Sequence, residues 1–204
     1  MSDGKQVKLR LPPEERKAQF INKAIEFFAK EGFDSSTRQL AAKLNVTQPL
    51  LYRYFPSKAD LINQVYETVY MGRWDDNWDN LLQDESKPLD QRLNLFYQQY
   101  TTKIFEDKWL RIFLFSGLKG IEINRRYLKF VQENVIKVIG EQYLKTYQPK
   151  QLRLTDREQE IIWVTHGSLI YYGIRKHVYG SGVYSDTFDI IESSIKGMLS
   201  QLSK

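Results

Sequence analysis

Apolar residues recur along this chain at steps of three and four, and no stretch alternates as a half-buried strand does. The pattern predicts an all-α protein of about nine helices. Phe20, Ile21, Ala24, Ile25 and Phe28 form the first stripe. Pro12-Pro13-Glu14-Glu15 ahead of it supplies the proline and acid that a helix N-terminus accepts, and Gly32 closes it. Ser36-Thr37-Arg38-Gln39 reads as a capping box before a short helix carrying Leu40, Ala41 and Leu44. Asn45 falls where the chain must turn, and asparagine tolerates the left-handed backbone that such turns use. Thr47 caps a third short helix with Pro49 in its first turn and Leu51 and Phe55 facing inward. Pro56-Ser57 starts another.

A long helix is expected over 57–82, then a loop at Asp84-Glu85-Ser86-Lys87-Pro88. Helical stretches follow at about 89–106, 108–119, 124–147, 155–178 and 186–202. Gln148-Pro149-Lys150 interrupts the series, Thr155-Asp156-Arg157-Glu158 offers a second capping box, and Gly180-Ser181-Gly182 separates the last two helices. The division expected is a basic arm over 1–13, a three-helix unit over 14–60 and a larger helical domain over 61–204.

Within 14–60 the second and third helices are short and joined by a tight turn, which is the helix-turn-helix arrangement. A helix fits the DNA major groove, so its outward side chains can read base edges while the preceding helix crosses the phosphates. Thr47, Gln48, Pro49, Leu50, Tyr52, Arg53 and Tyr54 are the outward candidates. Gln pairs with adenine, Pro and Leu meet a thymine methyl, and Tyr and Arg donate to phosphates. A helical hairpin that serves only as a packing unit has the same spacing. Charge adds a second sign: residues 1–60 hold eleven basic and seven acidic groups, a net of +4, while the other 144 residues carry +1. A basic first third suits a polyanion, although a solvated charged surface would look alike.

The run from Thr37 to Leu61, TRQLAAKLNVTQPLLYRYFPSKADL, resembles the DNA-binding signature of the TetR family of bacterial transcriptional regulators. That family's pattern is Thr-x-x-x-Ile-Ala, a spacer, Gly-Val-Ser, a variable stretch, Leu-Tyr-x-x-Phe and x-x-Lys-x-x-Leu. Two positions depart from it. Asn45 stands where the family has a turn glycine, and Leu50 where a small hydroxylated residue is common, which favours thymine-methyl contact there. The resemblance implies phosphate contacts from Thr37, Tyr52 and Lys58, and base-edge contacts from Gln48, Pro49 and either Arg53 or Tyr54. Arg38, Thr47 and Leu50 complete the expected DNA-facing set. Leu40, Val46, Leu51, Phe55 and Leu61 would be core. Residues 5–10, Lys-Gln-Val-Lys-Leu-Arg, could follow a phosphate strand or a minor groove, or remain a solvated tail.

The resemblance also implies that the last two helices pair with a second subunit. Ile162, Gly167, Ile170 and Gly173 of one, with Phe188, Ile191, Ile195, Met198 and Leu202 of the other, have the spacing of packing stripes, although an internal core would share it. A homodimer sets two recognition helices against half-sites about 34–36 Å apart, hence a palindromic operator in double-stranded DNA. Family members release DNA when a small molecule enters the C-terminal domain. The candidates to line such a pocket are Trp74, Trp78, Tyr100, Trp109, Phe113, Tyr127, Trp163, His166 and Tyr171, among which core filling competes with ligand contact. The function expected is that of a repressor released by a small hydrophobic or aromatic effector. The alternative is a helix-turn-helix protein with no such switch, constitutive or controlled by a protein partner.

An enzyme is not expected. His166 and His177 lack His-Glu-x-x-His spacing, and the sequence has no phosphate-binding loop, dinucleotide fingerprint or nucleophile elbow. Asp75, Asp76 and Asp79 read as a solvated face, and Arg125-Arg126 as surface or as the mouth of an anion pocket. No cofactor or metal is expected. The absence of cysteine suits a reducing compartment, and neither a signal peptide nor an apolar run of spanning length is evident, so the cytoplasm is the expected location with no membrane partner.

Overall fold

Proline and glycine bracket the first helix. The computed structural model describes residues 12–183 and 185–203, and its first helix, α1, runs Pro13–Glu31. Pro13 occupies the first turn, where a missing amide costs nothing, and Glu14 and Glu15 face the positive end of the helix dipole. Gly32 then takes φ 71°, and its amide returns to the Phe28 carbonyl. The basic segment at residues 5–10 lies outside the described residues.

α2 (Thr37–Lys43) opens on the expected capping box: the Gln39 amide donates to Ser36 Oγ at 3.2 Å and the Ser36 amide to Gln39 Oε1 at 2.7 Å. It closes in a Schellman turn, with the Val46 amide on the Ala41 carbonyl (3.0 Å) and the Asn45 amide on that of Ala42 (3.1 Å). Asn45 adopts φ 54°, the left-handed conformation expected of it. α3 (Gln48–Tyr54) starts from Thr47, whose hydroxyl accepts from the Leu50 amide. Ser57 caps α4 (Lys58–Val69) in the same way through the Asp60 amide.

The single helix expected over 57–82 is two. α4 stops at Val69, a 3-10 turn spans Met71–Arg73, Trp74 is extended, and α5 (Asn77–Gln83) begins afresh. Gly72 weakens the helix at this point, and the Asp75 carboxylate accepts from the Asn77 amide at 3.1 Å, a local turn that competes with the helical ladder. The break sets Trp74 edge-on against Trp78 and Phe130, with ring centroids 5.0 and 4.8 Å away.

α6 (Leu89–Ile104) and α7 (Asp107–Leu118) follow. α8 (Glu122–Val131) and α9 (Lys137–Tyr147) are joined through a π turn at Gln132–Ile136 into the one rod expected over 124–147. α10 (Asp156–Gly173) starts at the Thr155–Glu158 capping box and continues through a second π turn, Ile174–Val178; α11 is Thr187–Leu202. Counting α8 and α9 as one rod, the described residues hold ten helices, close to nine, and no strand.

Two seams dock the first four helices on the rest. α1 lies on α7, where a Cβ at Gly32 would stand 3.2 Å from the Phe115 ring and where Lys108 and Lys119 pair with Glu26 and Asp34. α4 meets α8 through Arg126, which donates to Asn63 (3.1 Å) and Glu67 (3.2 Å) while its guanidinium lies over the Tyr66 ring at 4.0 Å.

The stripes expected to meet a second subunit mostly face inward. Ile162, Ile170, Ile191, Ile195, Met198 and Leu202 are buried in their own chain, where α11 packs on α6 and α10. Gly173 is buried too, because a Cβ there would stand 2.7 Å from the Phe105 ring. The spacing of an internal and an external stripe is the same, and here the larger apolar side chains went to the subunit's own core. Gly167 and Phe188 remain exposed.

Candidate nucleic-acid interface and the aromatic core

α2 and α3 bury one side and present the other. Leu40, Leu51, Phe55 and Leu61 are buried in the core as expected, and Val46 is half-buried against it. Arg38, Thr47, Pro49, Tyr52 and Arg53 are exposed. Thr37, Gln48 and Leu50 are half-buried at the junction of the two helices. There Gln48 Nε2 donates to Thr37 Oγ1 at 2.9 Å, and the Thr37 and Tyr52 hydroxyls share a hydrogen bond of 3.0 Å. Hydrogen bonding to Thr37, and then to Gln48, lowers the Tyr52 phenol below its ordinary range. The three polar side chains therefore form a connected network whose outer members, Tyr52 and Gln48, border the exposed face.

Two expected DNA contacts are placed otherwise. Tyr54 turns back to α1, where its ring meets Phe20 edge-on at 5.1 Å, leaving Arg53 as the outward member of that pair. Lys58 is half-buried, with its ammonium donating to the Phe33 and Ser35 carbonyls, the latter at 2.8 Å. It thus anchors the loop that presents Ser36 and Thr37. Its long stem allows both this and an outward pose, which the residue pattern alone cannot separate.

The residues expected to line an effector pocket pack against one another. Trp109 stacks on Phe113 with centroids 5.4 Å apart, and Tyr127 closes on Trp109 at 5.3 Å. Trp78 and His166 stand 5.5 and 5.4 Å from Tyr100. The Tyr100 and Tyr127 hydroxyls meet at 2.6 Å and join the two groups. Burial raises both phenols above their ordinary value. Trp74 flanks Trp78, and Trp163 sits edge-on to His166 while its Nε1 donates to Gln132 at 2.7 Å. Tyr171 stands apart: it is 56% exposed on the outer side of α10. His166 is a buried core histidine, 3.4 Å from the Tyr97 hydroxyl, and desolvation lowers its pKa to about 4.

Tyr70 was not expected in this cluster. It ends α4, its ring lies 5.3 Å from Trp109 and 4.7 Å from Tyr127, and its buried hydroxyl has no partner. It stands four residues after the buried Tyr66 and returns its amide to the Tyr66 carbonyl at 2.9 Å, so it extends the buried stripe of α4.

Residues 20–65 match the sequence model of the bacterial regulatory proteins of the tetR family. No curated protein matches the chain. Among solved structures, a TetR-like transcriptional regulator from a Rhodococcus species superposes with a TM-score of 0.71 at 16% identity, covering 94% of this chain and 99% of that one. A TetR family transcriptional regulator from Pseudomonas syringae does so at 0.61 and 14%, covering 91% and 95%. A third, from Streptomyces coelicolor, reaches 0.60 at 17%, covering 95% and 83%. At these identities the structural likeness speaks for the fold, and the match over α1 to α4 speaks for the DNA-binding domain. Over residues 20–65, therefore, the chain carries a helix-turn-helix domain of the tetR family's kind, on a fold that it shares with these regulators.

Proposed function

We propose that the chain acts as a homodimeric repressor that binds a palindromic operator and is released by a small hydrophobic or aromatic effector. The observation that carries the DNA side is the placement of Pro49, Tyr52 and Arg53 on the exposed side of α3, with Leu51 and Phe55 on its buried side. Gln48 and Pro49 reach base edges; Thr37, Arg38, Tyr52 and Arg53 hold phosphates. Lys58 supports this surface from behind, with its remaining donor free to meet a phosphate.

Pairing falls to the outer face of α10 and α11. Val164 (63% exposed), Gly167, Ser168 and Tyr171 follow one another at the spacing of a single helix face, and Ser193, Gly197 and Ser200 do so on α11. Small residues flanked by large apolar ones let two helices approach closely. Phe188, half-exposed at the start of α11, borders the same surface.

Release requires that the effector favour one spacing of the two recognition helices. α4 is the connecting element. Its first residue, Lys58, holds the loop before α2, and the residue that ends it, Tyr70, lies in the aromatic core, about 18 Å of helix away. The unpartnered Tyr70 hydroxyl and the Tyr100–Tyr127 pair supply polar handles among apolar walls. The close packing of those rings favours a second reading, regulation without a small-molecule switch.

One experiment separates the two readings: anisotropy of an operator duplex held by the protein, challenged with a panel of aromatic and hydrophobic compounds. Release by one compound, lost in Tyr70→Phe or Tyr100→Phe, supports an effector in the core. Retention of the duplex against the whole panel supports the switchless reading.

A further inference from the structure

A buried arginine stands without an acid where α5, α6 and α9 meet. Arg92 is 3% exposed. Its Nη1 donates to the Leu82 carbonyl and to Gln142 Oε1, each at 2.8 Å, and its Nε has no partner. None of the ion pairs among the described residues includes it. A guanidinium stays charged at any accessible pH, so neutral carbonyls alone leave a desolvated charge uncompensated.

The same arginine forms part of the wall of an open cleft of about 470 Å³, together with Glu85, Ser86, Lys87, Lys145 and Thr146. α6 begins in that wall. Its N-cap is Pro88, which brings no side-chain acceptor, so the first-turn amides of this 16-residue helix have no side-chain cap, with Asp90 the one acid in that turn. Uncapped amides at the positive end of a helix dipole bind anions. Lys87 and Lys145 complete the cationic wall. Lys145 is paired with Glu85 through exposed side chains, a pair weak enough to exchange for a better acceptor, whereas Lys87 is held by the half-buried Asp84, whose carboxyl it lowers to about 2.

We propose that this cleft binds a small oxyanion, a phosphate or carboxylate group, held by Arg92, Lys145, Lys87 and the first-turn amides of α6. The anion supplies the negative charge that the arginine lacks and displaces Glu85 from Lys145. The site is separate from the aromatic core, yet Arg92 grips the last turn of α5, the helix that carries Trp78 into that core. Occupancy therefore stiffens one wall of the core. The proposal stands independently of the DNA-binding role.

The test uses the full chain, its thermal midpoint followed while inorganic phosphate or acetate replaces chloride at constant ionic strength. A midpoint that climbs with the logarithm of phosphate or of acetate is expected, and the more effective of the two names the oxyanion class. Lys145→Glu, at an exposed position, should weaken that binding roughly tenfold or more, since it places a like charge beside the anion. Arg92→Met should abolish it. If neither anion differs from chloride, or if Lys145→Glu titrates like the unaltered protein, the site does not exist and Arg92 serves only to tie α5 to α9.

Discussion

Gln48 Nε2 donates to Thr37 Oγ1 at 2.9 Å, so the base-reading candidate of α3 is tethered to the phosphate-contact candidate of α2. The tether fixes one rotamer of Gln48 before DNA arrives. Gln48→Ala should relax preference at a single operator base pair by about 1–3 kcal/mol. Thr37→Val removes the tether and should relax the same base pair in part. The double variant should be no more permissive there than Gln48→Ala alone, because the two residues act as one unit. Anisotropy titrations against single-position operator variants check this; additive effects at that position would separate the residues.

Lys58 gives the opposite expectation from an ordinary phosphate-contacting lysine. Its ammonium is engaged by two backbone carbonyls of the α1–α2 loop. Lys58→Ala should lower unfolding stability by about 1.5–3 kcal/mol, the range for hydrogen bonds to a charged group. Arg38→Ala and Arg53→Ala, at exposed positions, should barely change stability, and each should lower the salt slope of DNA binding by roughly one counterion. Urea unfolding and salt-dependent titrations of the three variants measure both quantities.

The two sides of α10 and α11 should separate cleanly. Gly167 has nothing within 4 Å of where a Cβ would stand, so Gly167→Lys fits the single chain and should dissociate the dimer with little loss of helix content. Ile195, fully buried within the chain, behaves differently: Ile195→Ala should cost about 2–5 kcal/mol. Light scattering and circular dichroism on both variants test the assignment. A dimer that survives Gly167→Lys would move the interface elsewhere.

What the sequence revealed and what it hid divide by range. The Ser36 and Thr155 capping boxes, the left-handed Asn45 and the Thr47 cap were legible because each depends on residues three or four apart. The inward direction of Ile162 and Ile191 was not, since helical spacing identifies a stripe without saying what covers it. Arg126 offered only charge, because its partners Asn63 and Glu67 lie about sixty residues earlier. The break at Met71–Arg73 is hidden for a different reason: the apolar rhythm continues across it, and only Gly72 and the local turn at Asp75 mark it.

His166 should make stability depend on pH. Burial lowers its pKa to about 4 from an ordinary 6.5, so the neutral ring is the form the core accepts. The folded state binds the proton less readily than the unfolded one. Stability is therefore fully present above about pH 6.5 and is lost as pH falls through 4, by up to about 3 kcal/mol. His166→Phe should flatten the part of the profile between pH 6.5 and 4, as urea midpoints across that window would record.

The most direct measurement is selection of bound duplexes from a random pool at near-physiological salt, followed by titration of the selected duplex against an unrelated one. A palindrome whose half-site centres lie 10–10.5 base pairs apart, or a multiple of that, bound about a thousandfold or more tighter than the unrelated duplex, is the expected result. Recovery of no common sequence, with equal and salt-sensitive affinity for both duplexes, would contradict a sequence-specific dimer reading DNA through α3.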